Sequence, residues 1–157
     1  MTIKLLVVGK TDNNALESLI LEYARRLKHY IKFEMVTIPN LKNTKHLSEK
    51  EQKTKEGELI LKQVENGDYL VLLDENGKQY TSIDFGGYLQ KKMNAGLRSL
   101  VFVVGGPYGF DVLVKNRSNA SISLSKMTFS HQMVRLFFVE QLYRAFTILK
   151  NEPYHHR

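Results

Sequence analysis

Cysteine is absent from the 157 residues, which removes disulfides, thiolate zinc sites and cysteine nucleophiles together. No apolar run approaches the ~18 residues of a membrane-spanning helix. The opening segment IKLLVVG (3–9) is too short for a signal peptide, so a soluble cytoplasmic protein is expected. The glycine-rich loop at 105–109 carries neither Gly-Lys-Ser/Thr nor G-x-G-x-x-G, which argues against the phosphate cradle of a nucleotide hydrolase there. Linkers, repeats and low-complexity stretches are also missing, so residues 1–157 are expected to form one domain. Acid is scarce: 16 Asp plus Glu face 23 Lys plus Arg, a net charge of +7 and a pI near 9.5. That balance favours polyanionic partners, with RNA and DNA ahead of an anionic membrane. From Lys115 onward, seven basic residues meet only Glu140 and Glu152.

What is present is regular. Apolar runs at 3–9, 33–39, 69–74, 100–104 and 120–124 predict strands, the second stopped by Pro39. Helical spacing predicts helices over 13–30, 82–94, 111–117 and 131–150, with Gly86 and Gly87 weakening the second and Pro153 stopping the last. Ser48-x-x-Glu51 predicts a capping box for a charged helix reaching about Val64, whose charges read as a solvated face. Strands apolar on both faces that alternate with helices imply an α/β domain with a mostly parallel sheet flanked by helices. In such sheets ligands lie beyond the carboxyl ends of the strands. Three stretches fall there: Leu73-Asp74, Gly105 to Gly109, and Ser125 to Ser130.

GGPYG (105–109) suits either a tight turn or a backbone-lined pocket for a flat, uncharged group such as adenine. NASISLSKMTFSH (119–131) sets Ala120, Ile122 and Leu124 on one strand face and Ser121, Ser123 and Ser125 on the other. Ser130 follows as an N-cap for the last helix. In that helix Arg135 projects into the apolar arc of Phe138, Val139, Leu142, Phe146 and Leu149. A cation there either snorkels or meets an anionic or carbonyl partner, such as RNA phosphate. Met133, Val134, Phe137 and Ile148 lie outside that arc, so the helix is expected to be buried a second time, in a symmetric dimer. Arg144 stands four residues after Glu140, the spacing of an ion pair. The tail PYHHR (153–157) is either a frayed terminus or a working one. In the second case Tyr154 stacks on a base, a histidine moves a proton and Arg157 meets phosphate. Its histidines lack a carboxylate pattern for a metal. Asp74 either holds a ribose hydroxyl or shapes its turn.

Taken together, LD…NGK (73–78), VGGPYG (104–109), SLSKMTFSHQMVRLFFVEQLYRAFTI (123–148) and PYHHR resemble the RlmH family of SPOUT-class methyltransferases. The early VVGK (7–10) and EY..RL (22–27) agree. The resemblance implies a C-terminal trefoil knot holding S-adenosylmethionine, a homodimer, and methylation of N3 of a pseudouridine in 23S rRNA on assembled ribosomes. It implies a cofactor site at Leu73, Gly105, Gly106, Leu124, Ser125, Lys126, Met127, Thr128 and Phe129, and requires no metal. Two positions depart from the commoner pattern: Tyr108 stands where many members have Glu, and Ser130 where many have Pro. N3 of the base must lose a proton, for which His131, His155 and Tyr154 are candidates. Arg144 or Arg135 would stabilise the uridine carbonyls or hold RNA phosphates, and Arg157 would contact RNA. Two competing readings are a ribosome-binding factor without activity and an adenine-nucleotide enzyme.

Overall fold

The structure, a computed structural model, describes residues 1–156; Arg157 lies outside the described residues. Ten principal elements alternate. They are β1 (Thr2–Val8), α1 (Asn14–Leu27), β2 (Lys32–Ile38), α2 (Glu49–Leu61), β3 (Tyr69–Gln79), α3 (Ser82–Asn94), β4 (Ser99–Val104), α4 (Val112–Arg117), β5 (Ala120–Ser123) and α5 (His131–Leu149). The strands form one sheet in the order β2-β1-β4-β3-β5, and every pairing is parallel. The expected mostly parallel sheet is therefore parallel throughout.

Burial explains the continuous apolar runs. In β1 and β4, Ile3, Leu5, Val7, Leu100, Phe102 and Val104 enter a core shared with α1, α3 and α5. Leu6, Val8, Val101 and Val103 enter a second core with Ile60 of α2 and Val114 of α4. Covered on both faces, each strand has no polar side to show. At the centre of the larger core the Phe102 and Phe138 rings lie 4.7 Å apart, centroid to centroid. Local signals start the helices, at Ser48 and Ser130 as expected. Asn13, Thr81, Asp111 and Ser130 each accept a backbone hydrogen bond as N-caps, and Ser48 with Glu51 closes a full capping box.

β3 departs from its predicted end. The Glu75-Asn76-Gly77 turn is a bulge inside a longer strand, and Ile122 of β5 pairs with both Leu73 and Lys78. The bulge thus packs directly against the β5 backbone. A Cβ on Gly77 would lie 2.6 Å from the Ile122 nitrogen, so only glycine lets the two backbones approach this closely. Asp74 shapes the bulge by accepting the Asn76 amide hydrogen at 2.9 Å.

Candidate active site

A cleft of about 1250 Å³ opens at the carboxyl ends of β3, β4 and β5. Leu73, Val104 and Ile122 line its apolar floor. One wall is the loop Gly105–Phe110, and the other runs from Leu124 to Phe129. Of the residues expected to hold a cofactor, Leu73, Gly105, Gly106, Leu124, Ser125, Met127, Thr128 and Phe129 line this cleft. Lys126 does not; it is exposed on the turn, outside the lining.

Hydrogen bonds fix both walls. Ser123 donates to the Ser125 carbonyl, Ser125 Oγ accepts from the Met127 amide, and Thr128 donates to Glu75 on the β3 bulge. The second wall is thereby tied to the β3 bulge. The glycine wall is a tight turn, with the Gly109 amide donating to the Gly106 carbonyl. Beneath it Glu56, only 6% exposed, accepts the Gly106 amide hydrogen at 3.0 Å. A Cβ on Gly106 would lie 2.5 Å from a Glu56 oxygen. Burial raises the Glu56 carboxyl above the usual carboxylate range, and the Gly106 hydrogen bond opposes that rise. GGPYG is thus a tight turn, and it also lines the cleft.

Sequence reasoning missed Glu56, having read its helix as solvated. Gly57, beside it in mid-helix, was the available signal of close approach. A Cβ there would meet Asp111 and Val114 at 3.1 Å.

His131, the first residue of α5, lines the cleft, and its ring has no hydrogen bond among the described residues. Arg135 requires a correction. It is 1% exposed and donates to the Val8 carbonyl at 2.7 Å, the Gly9 carbonyl at 2.9 Å and the Thr11 hydroxyl at 3.2 Å. Its partners are the carbonyls at the end of β1, not RNA phosphate. They supply the compensation that a buried guanidinium requires.

Arg144, Tyr154 and His155 form a second cluster. Glu140 Oε1 accepts from Arg144 at 2.6 and 3.1 Å and from the Tyr154 hydroxyl at 2.9 Å. Arg144 stands 3.2 Å from His155 Nδ1 and covers the Tyr154 ring at 4.7 Å. Within the described residues, 152–155 are docked, not frayed, and Tyr30 also donates to Glu152. Burial, with hydrogen bonds to Tyr23 and Glu140, pushes the Tyr154 phenol well above its ordinary value. It is a proton donor here, and a poor base. His131 and Arg144 are separated by thirteen residues of helix, about 20 Å at 1.5 Å per residue. One protomer therefore does not bring the tail cluster to its own cleft.

Parallel α/β architecture and a cleft at the strand ends beside the β3 bulge define a class that comparison with known proteins identifies. The profile described as "Predicted SPOUT methyltransferase" matches residues 1–155, and the chain belongs to that family of methyltransferases. It is 68% identical over 157 residues to the Ribosomal RNA large subunit methyltransferase H of Christiangramia forsetii, covering all of both chains. The proteins of the same name from Flavobacterium johnsoniae and Parabacteroides distasonis are 60% and 62% identical, the first over all of both chains and the second over 99% of each. No helix among the described residues is long and apolar enough to cross a membrane.

Proposed function

We propose that this protein transfers a methyl group from S-adenosylmethionine to N3 of a pseudouridine in large-subunit 23S rRNA, as a cytoplasmic homodimer acting on assembled ribosomes. The observation that carries the reading is one cleft in which the glycine turn, the β3 end and the serine-rich segment before α5 converge. Its donor set suits the cofactor: apolar Leu73, Ile122 and Leu124 for a flat adenine, with main chain from Gly105, Gly106 and the Ser125–Phe129 turn for its polar edge. When bound, that cofactor supplies an electrophilic sulfonium methyl, so no metal is needed to activate it. Ile122 pairs with both Leu73 and Lys78 at the β3 bulge, and the family resemblance implies a knotted path near this point.

The chain's own part is alignment and proton removal. An imide nitrogen is a weak nucleophile until deprotonated. His131 is the cleft-lining imidazole, and its ring accepts the N3 proton in this reading. Asp74 and Glu75, also in the cleft, already hold Asn76 and Thr128. The positive end of α5, where His131 sits, favours the anionic base that forms. Met133 and Phe137 on the flank of α5 are 38% and 40% exposed, and a second protomer packed there would bury them. With some 20 Å between the cleft and its own tail, the Arg144–Tyr154–His155 cluster serves the partner's cleft.

Labelled S-adenosylmethionine incubated with 70S ribosomes or free large subunits, followed by nucleotide mapping, tests this. Label at N3 of one 23S pseudouridine is the expected result; label only in protein or transfer RNA overturns it.

A further inference from the structure

The cleft is not where the basic charge resides. Three lysines line it, Lys50, Lys53 and Lys115, against four carboxylates, Glu49, Asp74, Glu75 and Asp111. Three of the seven basic residues from Lys115 onward are engaged within the chain. Arg135 is buried, Arg144 is paired with Glu140, and Arg117 donates to the Glu65 and Asp68 carbonyls. A polyanion must be gripped elsewhere.

All five strands run in one direction, so their starts and the carboxyl ends of α1, α3 and α5 share the end of the molecule opposite the cleft. The contact of the Thr2 amide with the Arg98 carbonyl, at 2.8 Å, marks that end. Five exposed cations gather there: Arg25 and Lys28 from α1, Lys150 just after α5, and Lys91 with Arg98 around the α3–β4 turn. None has a salt bridge or side-chain hydrogen bond among the described residues. The neighbouring acids are engaged: Glu22 with Arg26, Glu34 with Lys32, and Glu152 with Tyr30. Glu65 follows α2, in the other helix layer. Because α5 packs between α1 and α3, the stripe crosses two helix–helix spacings, about 16–20 Å. One cation per helix end would complement the dipoles; five leave charge for a partner.

We propose that this stripe is a second RNA surface, remote from the cleft of its own chain, that holds the phosphate backbone of ribosomal RNA. It rests on the rRNA reading above. Phosphate contacts position an RNA without reading its sequence, which suits an enzyme whose cleft walls are short.

The test compares the charge reversals R25E/K28E and K91E/R98E with K42E/K45E, an equal change among exposed lysines of the β2–α2 loop. Sedimentation with large ribosomal subunits at several salt concentrations reads binding directly, whether or not methyl transfer occurs. Each stripe pair is expected to weaken binding roughly tenfold or more and to flatten its salt dependence by one to two contacts. S-adenosylmethionine affinity and melting temperature should stay at wild-type values, and K42E/K45E should bind like wild type. Stripe variants that bind subunits as wild type does, or that weaken no more than K42E/K45E, overturn the proposal. So does a wild-type protein that binds anionic vesicles and not subunits. If wild type binds subunits through the stripe yet methylates nothing in them, the proposed function fails while the surface stands.

Discussion

Glu56 Oε1 and the Gly106 amide, 3.0 Å apart, join a helix on one side of the sheet to the loop that walls the cleft. The carboxylate is buried and has no cation beside it, so its presence costs stability that the loop's geometry must justify. Glu56→Ala leaves the Gly106 N–H unsatisfied and is expected to cost about 1–3 kcal/mol, with weaker S-adenosylmethionine binding. Glu56→Gln keeps an acceptor oxygen and should bind the cofactor nearly as well as wild type. Thermal melts with calorimetry on both variants decide this.

The same group sets a pH dependence. Its folded pKa lies above the ordinary value of 4.5, so the folded state binds the proton more tightly than the unfolded one. Stability contributed by this site therefore falls as pH rises through the interval that begins near 4.5 and extends upward. Melting temperatures of wild type and Glu56→Gln should converge, or wild type should gain, as pH drops from neutrality into that interval. A constant difference across pH 4.5–7.5 would contradict the assignment.

Gly77→Ala drives a methyl group into the Ile122 backbone, where neither chain can swing aside. The expected loss is about 1–3 kcal/mol, read as a lowered urea midpoint, with reduced cofactor affinity because both β3 limbs border the cleft.

Arg135→Met strips the Val8 and Gly9 carbonyls of their donor and is expected to destabilise by about 3 kcal/mol. Affinity of the folded protein for ribosomal subunits should be unchanged, since the guanidinium is enclosed.

His131→Ala should lower kcat by about 10²–10⁴ while S-adenosylmethionine still binds. Mixing it with Arg144→Ala protomers tests the shared site. Random pairing of two inactive variants should restore roughly a quarter of wild-type activity if cleft and tail come from different subunits. No recovery would place the whole site within one chain.

How much of this was legible depends on range in sequence. Strands, helix starts and the cleft's two walls follow from patterns a few residues long, and Ser130 and Ser48 cap their helices as their neighbours imply. The β3 bulge was read as a turn because Glu75-Asn76-Gly77 has turn composition; what makes it a bulge is β5, more than forty residues later. Arg135 was marked as anomalous by its place in an apolar arc, but its partners lie over 120 residues away.

By itself the sequence determined a mostly parallel α/β fold, the Ser48 and Ser130 helix caps, the family and the segments that meet at the strand ends. These are consequences of periodicity, local hydrogen-bonding chemistry and composition. Only the tertiary structure decided that Glu56 supports the glycine wall, that Arg135 is internal, that the tail docks far from its own cleft, and that free positive charge collects at the opposite end. Each of those depends on which distant groups are brought within hydrogen-bond reach or kept from it, and burial then decides whether a charge is available to a partner or consumed by the fold.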